Sequence, residues 1–127
     1  MIVLDASAAV LGLLAAGQAR TVMATEDLHA PHLVDSEVTD VLRRRALRSP
    51  VDDAAAGRAL EVWQQLAVRR YAAAPFSGEI WSHRRNVTAY DGAYVVLAAA
   101  LGCSVLTADA RLARAPGLRC PVEVVTT

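Results

Sequence analysis

Met1-Ile-Val-Leu-Asp5-Ala-Ser7 is the stretch that decides how this chain folds. Three consecutive apolar residues without alternation suit a strand buried on both faces, as the middle of a parallel sheet requires. Asp5 then stands at the carboxyl end of that strand, and in open α/β sheets ligands bind in the crevice beyond those ends. Asp5 can equally cap a helix that begins near Ala6, with Ser7 sharing the task. Further acids reaching the same place would favour the crevice.

Residues 6–16 read as helix, with Val10, Leu11, Leu13 and Leu14 spread around its whole circumference. A surface helix carries one apolar stripe, so this one should bury a second face, either in a dimer interface or deep within its own fold. A short helix over 18–25 and a short strand over 28–30 follow. Pro31 opens a long helix over 33–47, stopped by Ser49-Pro50 because the residue before proline avoids the α region. Its stripe is Val34, Val38, Val41 and Leu42, and Glu37 lies on the margin, either reaching water or facing the end of the sheet. Asp40 and Arg44 can pair at i,i+4 on the opposite side. The cluster Arg43-Arg44-Arg45 with Arg48 suits phosphate contact or a solvated helix end that complements the macrodipole.

Asp52-Asp53 is expected to cap a helix running to about residue 70, with Leu60, Trp63, Leu66 and Ala67 inward. A strand over 71–74 closed by Pro75, and a short helix capped by Ser77 and running through Glu79, Ile80, Trp81 and Arg84, come next. Thr88 or Asn86 then caps an almost wholly apolar helix that Gly102 ends. Asp91 falls in its first turn, in line with Tyr94, Val95 and Ala98; there it gains from the helix dipole or meets a partner brought from elsewhere in the fold. Ser104-Val-Leu-Thr107 repeats the opening theme, followed by Asp109 and a short helix over 110–114. Residues 122–125 supply a last strand, at an edge after Pro121. The resulting order β-α-β-α-α-β-α-α-β-α-β implies one α/β domain over 1–127, a mostly parallel central sheet of about five strands with helices on both faces.

Composition narrows the chemistry. The 127 residues fit one domain, and a hydrophobic fraction of 54% with 20% charged residues hints at a surface meant for a partner. Net charge is zero, so contact with nucleic acid must rest on local clusters. All thirteen basic residues are arginine, which eliminates Schiff-base lysines, the P-loop and the lysine-bearing phospho-receiver site. Cys103 and Cys120 lack a histidine at ligand spacing, so reduced, half-buried thiols are expected rather than a zinc site or a disulfide. The apolar residues 6–16 have no basic segment before them and follow Asp5, so no cleaved leader is expected. No run of 18 apolar residues is present, and no membrane span is expected.

Asp5 and Asp109 thus sit just beyond strand ends, with Glu37 and Asp91 on helices packed against the sheet. Should the four converge, their repulsion would raise one another's pKa until a proton or a cation neutralised them. Mg²⁺ or Mn²⁺, hard cations that take oxygen ligands, would fit, and a carboxylate-only site suits metal-assisted cleavage of phosphodiesters.

These segments, together with Ala30-Pro-His-Leu-Val-Asp-Ser-Glu37-Val, Trp81-Ser-His-Arg84-Arg-Asn86-Val-Thr88-Ala-Tyr90-Asp91-Gly-Ala-Tyr94 and Leu106-Thr107-Ala-Asp109-Ala-Arg111-Leu, resemble the PIN-domain family. More narrowly they are similar to the VapC toxins of bacterial type II toxin-antitoxin modules, over nearly the whole chain. The resemblance implies a PIN-like fold in which Asp5, Glu37, Asp91 and Asp109 form an acidic tetrad holding Mg²⁺, supported through hydrogen bonds by Ser7 and Thr107. It implies a cytoplasmic endoribonuclease that cuts tRNA or rRNA and inhibits translation, a cognate VapB-like antitoxin that pushes a side chain into the crevice, and a homodimer. Arg84 and Arg85 would meet substrate or antitoxin, or Arg84 would pair with the tetrad. Gly92 stands where the family commonly has alanine. The competing reading is a catalytically silent PIN module that acts as a binding or regulatory subunit.

Overall fold

A computed structural model describes residues 1–126. The strands β1 (Ile2–Leu4), β2 (Leu28–Pro31), β3 (Val68–Tyr71), β4 (Val105–Thr107) and β5 (Val122–Val124) form one sheet in the order β3-β2-β1-β4-β5. Every pairing is parallel, with Val3 opposite both His29 and Val105. β1 is therefore central, and Val3, Leu4, Val105 and Leu106 are wholly buried, which is why these strands read as continuous apolar runs.

The helices are α1 (Ala6–Leu14), α2 (Gln18–Thr25), α3 (Leu33–Ala46), α4 (Pro50–Gln65), α5 (Ser77–Ser82), α6 (Ala89–Leu101) and α7 (Ala110–Ala113). The chain winds outward from β1 through β2 to β3, then crosses back through α5 and α6 to β4 on the other side of β1. With right-handed crossovers this reversal sends α1 to α4 to one face and α5 and α6 to the other. The strand order switches direction between β1 and β4, and a crevice opens beyond their ends.

α1 packs against α2, α3, α4 and β4 within the same chain. These partners bury Ala8, Ala9 and Val10, while Leu11, Leu13 and Leu14 stay half-buried, so its apolar circumference is covered in part within the chain. A side chain at Gly12 would collide with the Met23 sulfur of α2, so the α1–α2 approach requires glycine there. Gly92 has a similar reason: a Cβ would lie 3.1 Å from Cγ2 of Ile80 on α5, tighter than ordinary packing.

Two expected boundaries move. α4 ends at Gln65 and β3 occupies 68–71, not 71–74; Leu66 is only half-buried and Ala67 is exposed. Val68-Arg-Arg70 reads as helix in the sequence because its arginines mask the strand, but an edge strand tolerates charged side chains and pairs through its backbone from Leu28–Val68 to Pro31–Tyr71. Ser49, not Asp52 or Asp53, caps α4 by accepting from the Asp52 amide at 3.1 Å. Ser77 is the first residue of α5 and makes no capping bond. Among the described residues no single helix is long and apolar enough to cross a membrane.

Candidate active site

Asp5 follows β1 directly and caps α1, its Oδ1 accepting from the Ala8 amide at 3.0 Å and from the Ser7 hydroxyl at 2.7 Å. Its Oδ2 accepts from the Thr107 hydroxyl. The two readings of Asp5 therefore coexist, since the same carboxylate that caps the helix also lines the crevice. Thr107 and Ser7 link the two strand ends: Thr107 Oγ1 accepts from the Asp109 amide at 3.0 Å, and Ser7 Oγ accepts from the Ala108 amide at 2.9 Å. Burial pushes the Asp5 carboxyl above its usual range, against the lowering effect of these donors.

Glu37 comes from α3 and Asp91 from the first turn of α6. With Asp5 and Asp109 they line one cavity of about 340 Å³. Asp40 and Arg44 of α3 and Tyr94 of α6 line it too. Burial raises the Glu37 carboxyl first, and the negative charges of Asp5 and Asp91 raise it further. Asp91 is raised by burial, then by Asp109 and Asp5. Among the described residues no donor reaches the Asp91 carboxylate, whose backbone amide instead donates to the capping Thr88 hydroxyl at 3.1 Å. Thr88 rather than Asn86 is thus the cap.

Asp109 differs. It caps α7 by accepting from the Arg111 amide at 2.9 Å, and the Arg111 guanidinium contacts both of its oxygens at 3.2 Å. That contact holds its carboxyl below the usual range. The crevice thus holds three acids raised by burial, two of them also by repulsion, and one already paired. Sequence reasoning missed Arg111, which sits on a helix of a single turn. It also missed the role of Tyr94, whose hydroxyl donates to Glu37 Oε1 at 2.6 Å and is itself raised by burial and by Glu37. Only the meeting of side chains from α3 and α6 beyond the strand ends reveals that pair.

Arg84 lies elsewhere. Its guanidinium carbon is 4.9 Å from the centroid of the Trp81 ring, and it pairs with none of the four acids. The expected pairing of Arg84 with the tetrad is therefore not formed, because α5 and the turn after it pack beside a different groove. Arg85 is exposed. Of the arginine run on α3, Arg44 reaches the crevice rim, where its Nε stands 3.8 Å from Asp40 Oδ2.

Among the described residues no three His, Cys, Asp or Glu side chains are drawn together tightly enough to grip one ion directly. The donor set still fits a hard divalent cation. It is all oxygen, three of its members are raised by burial and two of those also by neighbouring acids, and among the described residues Asp91 has no hydrogen-bond donor. Mg²⁺ keeps several waters and needs only one or two carboxylates, so a closed cage is not required.

A central parallel sheet with this strand order, acids gathered at the β1/β4 switch and helices on both faces define the class. The chain belongs to the PIN-domain family, whose sequence profile matches residues 2–118. Its relatives place it among the VapC proteins. It is 50% identical to a VapC ribonuclease of Mycobacterium bovis over 98% of both chains. It is 41% identical to ribonuclease VapC1 of Mycobacterium tuberculosis over 97% of this chain and 96% of that one. PAE2754 from Pyrobaculum aerophilum shares the fold at a TM-score of 0.68 and 26% identity, over 89% of this chain and 82% of that one. VapC20 of M. tuberculosis, a toxin that cleaves the sarcin-ricin loop, shares it at a TM-score of 0.63 and 20% identity, over 94% of this chain and 98% of that one; it bears on the fold alone.

Proposed function

We propose that the protein is a divalent-metal-dependent endoribonuclease toxin of a VapBC-type module that cleaves tRNA or rRNA, inhibits translation, acts in the cytoplasm and is neutralised by a cognate VapB-like antitoxin. The observation that carries this reading is the gathering of Asp5, Glu37, Asp91 and Asp109, from four separate segments, around one cavity in which three of them are raised. The names of the relatives supply the substrate class.

Asp91 and Asp5 would hold Mg²⁺ or Mn²⁺, with Glu37 and Asp109 completing its surroundings. When bound, the cation activates a water and offsets charge on the scissile phosphate. Ser7 and Thr107 act through Asp5, fixing its orientation by donating to both of its oxygens. Tyr94 keeps its proton and donates it to Glu37 in a hydrogen bond, so it orients that carboxylate and takes no part as a base. Arg111 restrains Asp109 and brings a cation to the crevice edge, where a phosphate or an antitoxin carboxylate can compete for it.

The second reading, a catalytically silent module, draws on that Asp109–Arg111 pair, which leaves one acid of the four occupied. Inducible expression of the wild type beside Asp91→Ala separates them, scored by growth arrest and by mapping new 5′ ends across cellular RNA. Arrest with discrete cuts by the wild type alone is expected. Arrest by both proteins counts against nuclease action.

A further inference from the structure

The first turn of α6 has two sides. Asp91 and Tyr94 line the acid crevice, while Tyr90 and Ala93, their neighbours in sequence, line a second groove of about 550 Å³ together with Ile80, Trp81 and Arg84. The two cavities therefore flank the N-terminal part of one helix. Trp81 and Tyr90 are each 67% exposed, whereas the other tryptophan, Trp63, is 2% exposed. Arg84 lies over the Trp81 ring and is held there by donating to the Trp81 carbonyl at 3.2 Å, so its planar guanidinium covers one ring face and sets a cation beside the aromatic pair. Among the described residues the groove's lining contains this one charged side chain and no carboxylate.

A polyanion faces an obstacle at this protein. The crevice is acidic, and the net charge of zero offers no general attraction. Beyond the rim arginines Arg44 and Arg111, affinity for a single strand can be drawn from sequence-tolerant contacts near the crevice, which aromatic faces beside an arginine provide. We propose that the Trp81–Arg84–Tyr90 groove is a stacking site for an unpaired nucleobase next to the phosphate presented to the acids. The base lies on the aromatic surface, and Arg84 meets the adjoining phosphate. This rests on the ribonuclease reading above and assigns that enzyme a preference for unpaired RNA.

The test uses the full chain in Mg²⁺, with Asp5→Asn as a background that leaves RNA uncut. Anisotropy of a labelled, unstructured eight-nucleotide oligoribonucleotide reports binding, and the same strand annealed to its complement is the control. Trp81→Ala and Tyr90→Ala should each raise Kd by about 5- to 150-fold, the range for losing one base–aromatic stack, and Trp81→Phe by far less. The duplex should bind more weakly than the single strand. In the cleaving protein, KM should rise more than kcat falls. Both rings are exposed, so the variants should keep the wild-type Tm, read in parallel. Binding by both alanine variants within twofold of the parent overturns the proposal. So does intact RNA binding combined with lost capture of a co-expressed antitoxin, which would make the groove a protein-docking site. Discrete cleavage by a wild type indifferent to Trp81 and Tyr90 removes the stacking site alone; a wild type that neither binds nor cuts RNA removes the ribonuclease reading with it.

Discussion

Asp35 and Glu37 stand two residues apart on α3 and face different surroundings. Asp35 accepts from Arg70 Nε at 2.7 Å and from Trp63 Nε1 at 2.9 Å, tying α3 to β3 and α4. Arg70 holds its carboxyl below the usual range. Glu37, across the helix, has among the described residues only the Tyr94 hydroxyl as a donor and two acids nearby, and its carboxyl is raised. One acid is neutralised by its own chain and serves the fold. The other is left under-neutralised among like charges, an arrangement that costs stability in the bare protein and that a bound cation would relieve.

Five experiments can break or sharpen that contrast. Asp91→Asn should lower RNA cleavage by at least about 100-fold, the loss of a principal cation ligand, while leaving far-UV circular dichroism unchanged. Cleavage within tenfold of wild type would remove Asp91 from the site. Mg²⁺ at a hundredfold over its Kd should stabilise the wild type by about 2.7 kcal/mol, a rise of several degrees in Tm, and Asp91→Asn should lose that shift. Asp35→Ala should show the opposite profile, keeping the Mg²⁺ shift and its activity at low temperature while unfolding more easily.

Thr107→Val removes a wholly buried donor, stranding Asp5 Oδ2 and the Asp109 amide, and should cost about 1–3 kcal/mol in denaturant melts. It should also push the Asp5 carboxyl higher still, moving the acid limb of the pH–rate profile to higher pH. Asp35→Ala should cost about 1–2 kcal/mol, a figure already reduced for solvent screening of a half-exposed pair.

The smallest effect is on pH dependence in metal-free buffer. Asp5, Glu37 and Asp91 are raised, so the folded chain binds their protons more tightly than the unfolded chain does. Stability from this source is greatest below the ordinary carboxylate range and is lost as pH rises through the raised values. Asp35 is lowered, so its contribution is present above the ordinary value and disappears as pH falls through the lowered one. Saturating Mg²⁺ should flatten the first slope and leave the second. A first slope unchanged by Mg²⁺ would separate the raised acids from cation binding.

Much of this was legible along the chain. The buried runs ending in Asp5 and Asp109 marked the central strands because a strand covered on both faces cannot alternate. The alignment of Asp91 with Tyr94 and Val95, and the position of Glu37 beside Val34, Val38 and Val41, put those acids near the sheet. Other features were hidden. Arg70 disguised β3, because an edge strand need not look apolar when its charge is met by a residue 35 positions away. How far α2, α3 and α4 would cover the apolar circumference of α1, burying Ala8, Ala9 and Val10 and leaving Leu11, Leu13 and Leu14 half-buried, was hidden too.

By itself, the order of residues determined the parallel α/β architecture, the four candidate acids and the absence of lysine chemistry, since periodicity and residue type are local properties. Which acids are neutralised was decided only in three dimensions. Arg70 reaches Asp35, Arg111 holds Asp109, Tyr94 finds Glu37, and Asp91 is left without a donor. Electrostatic free energy depends on distance through space and on exclusion of water, and neither follows from separation along the chain.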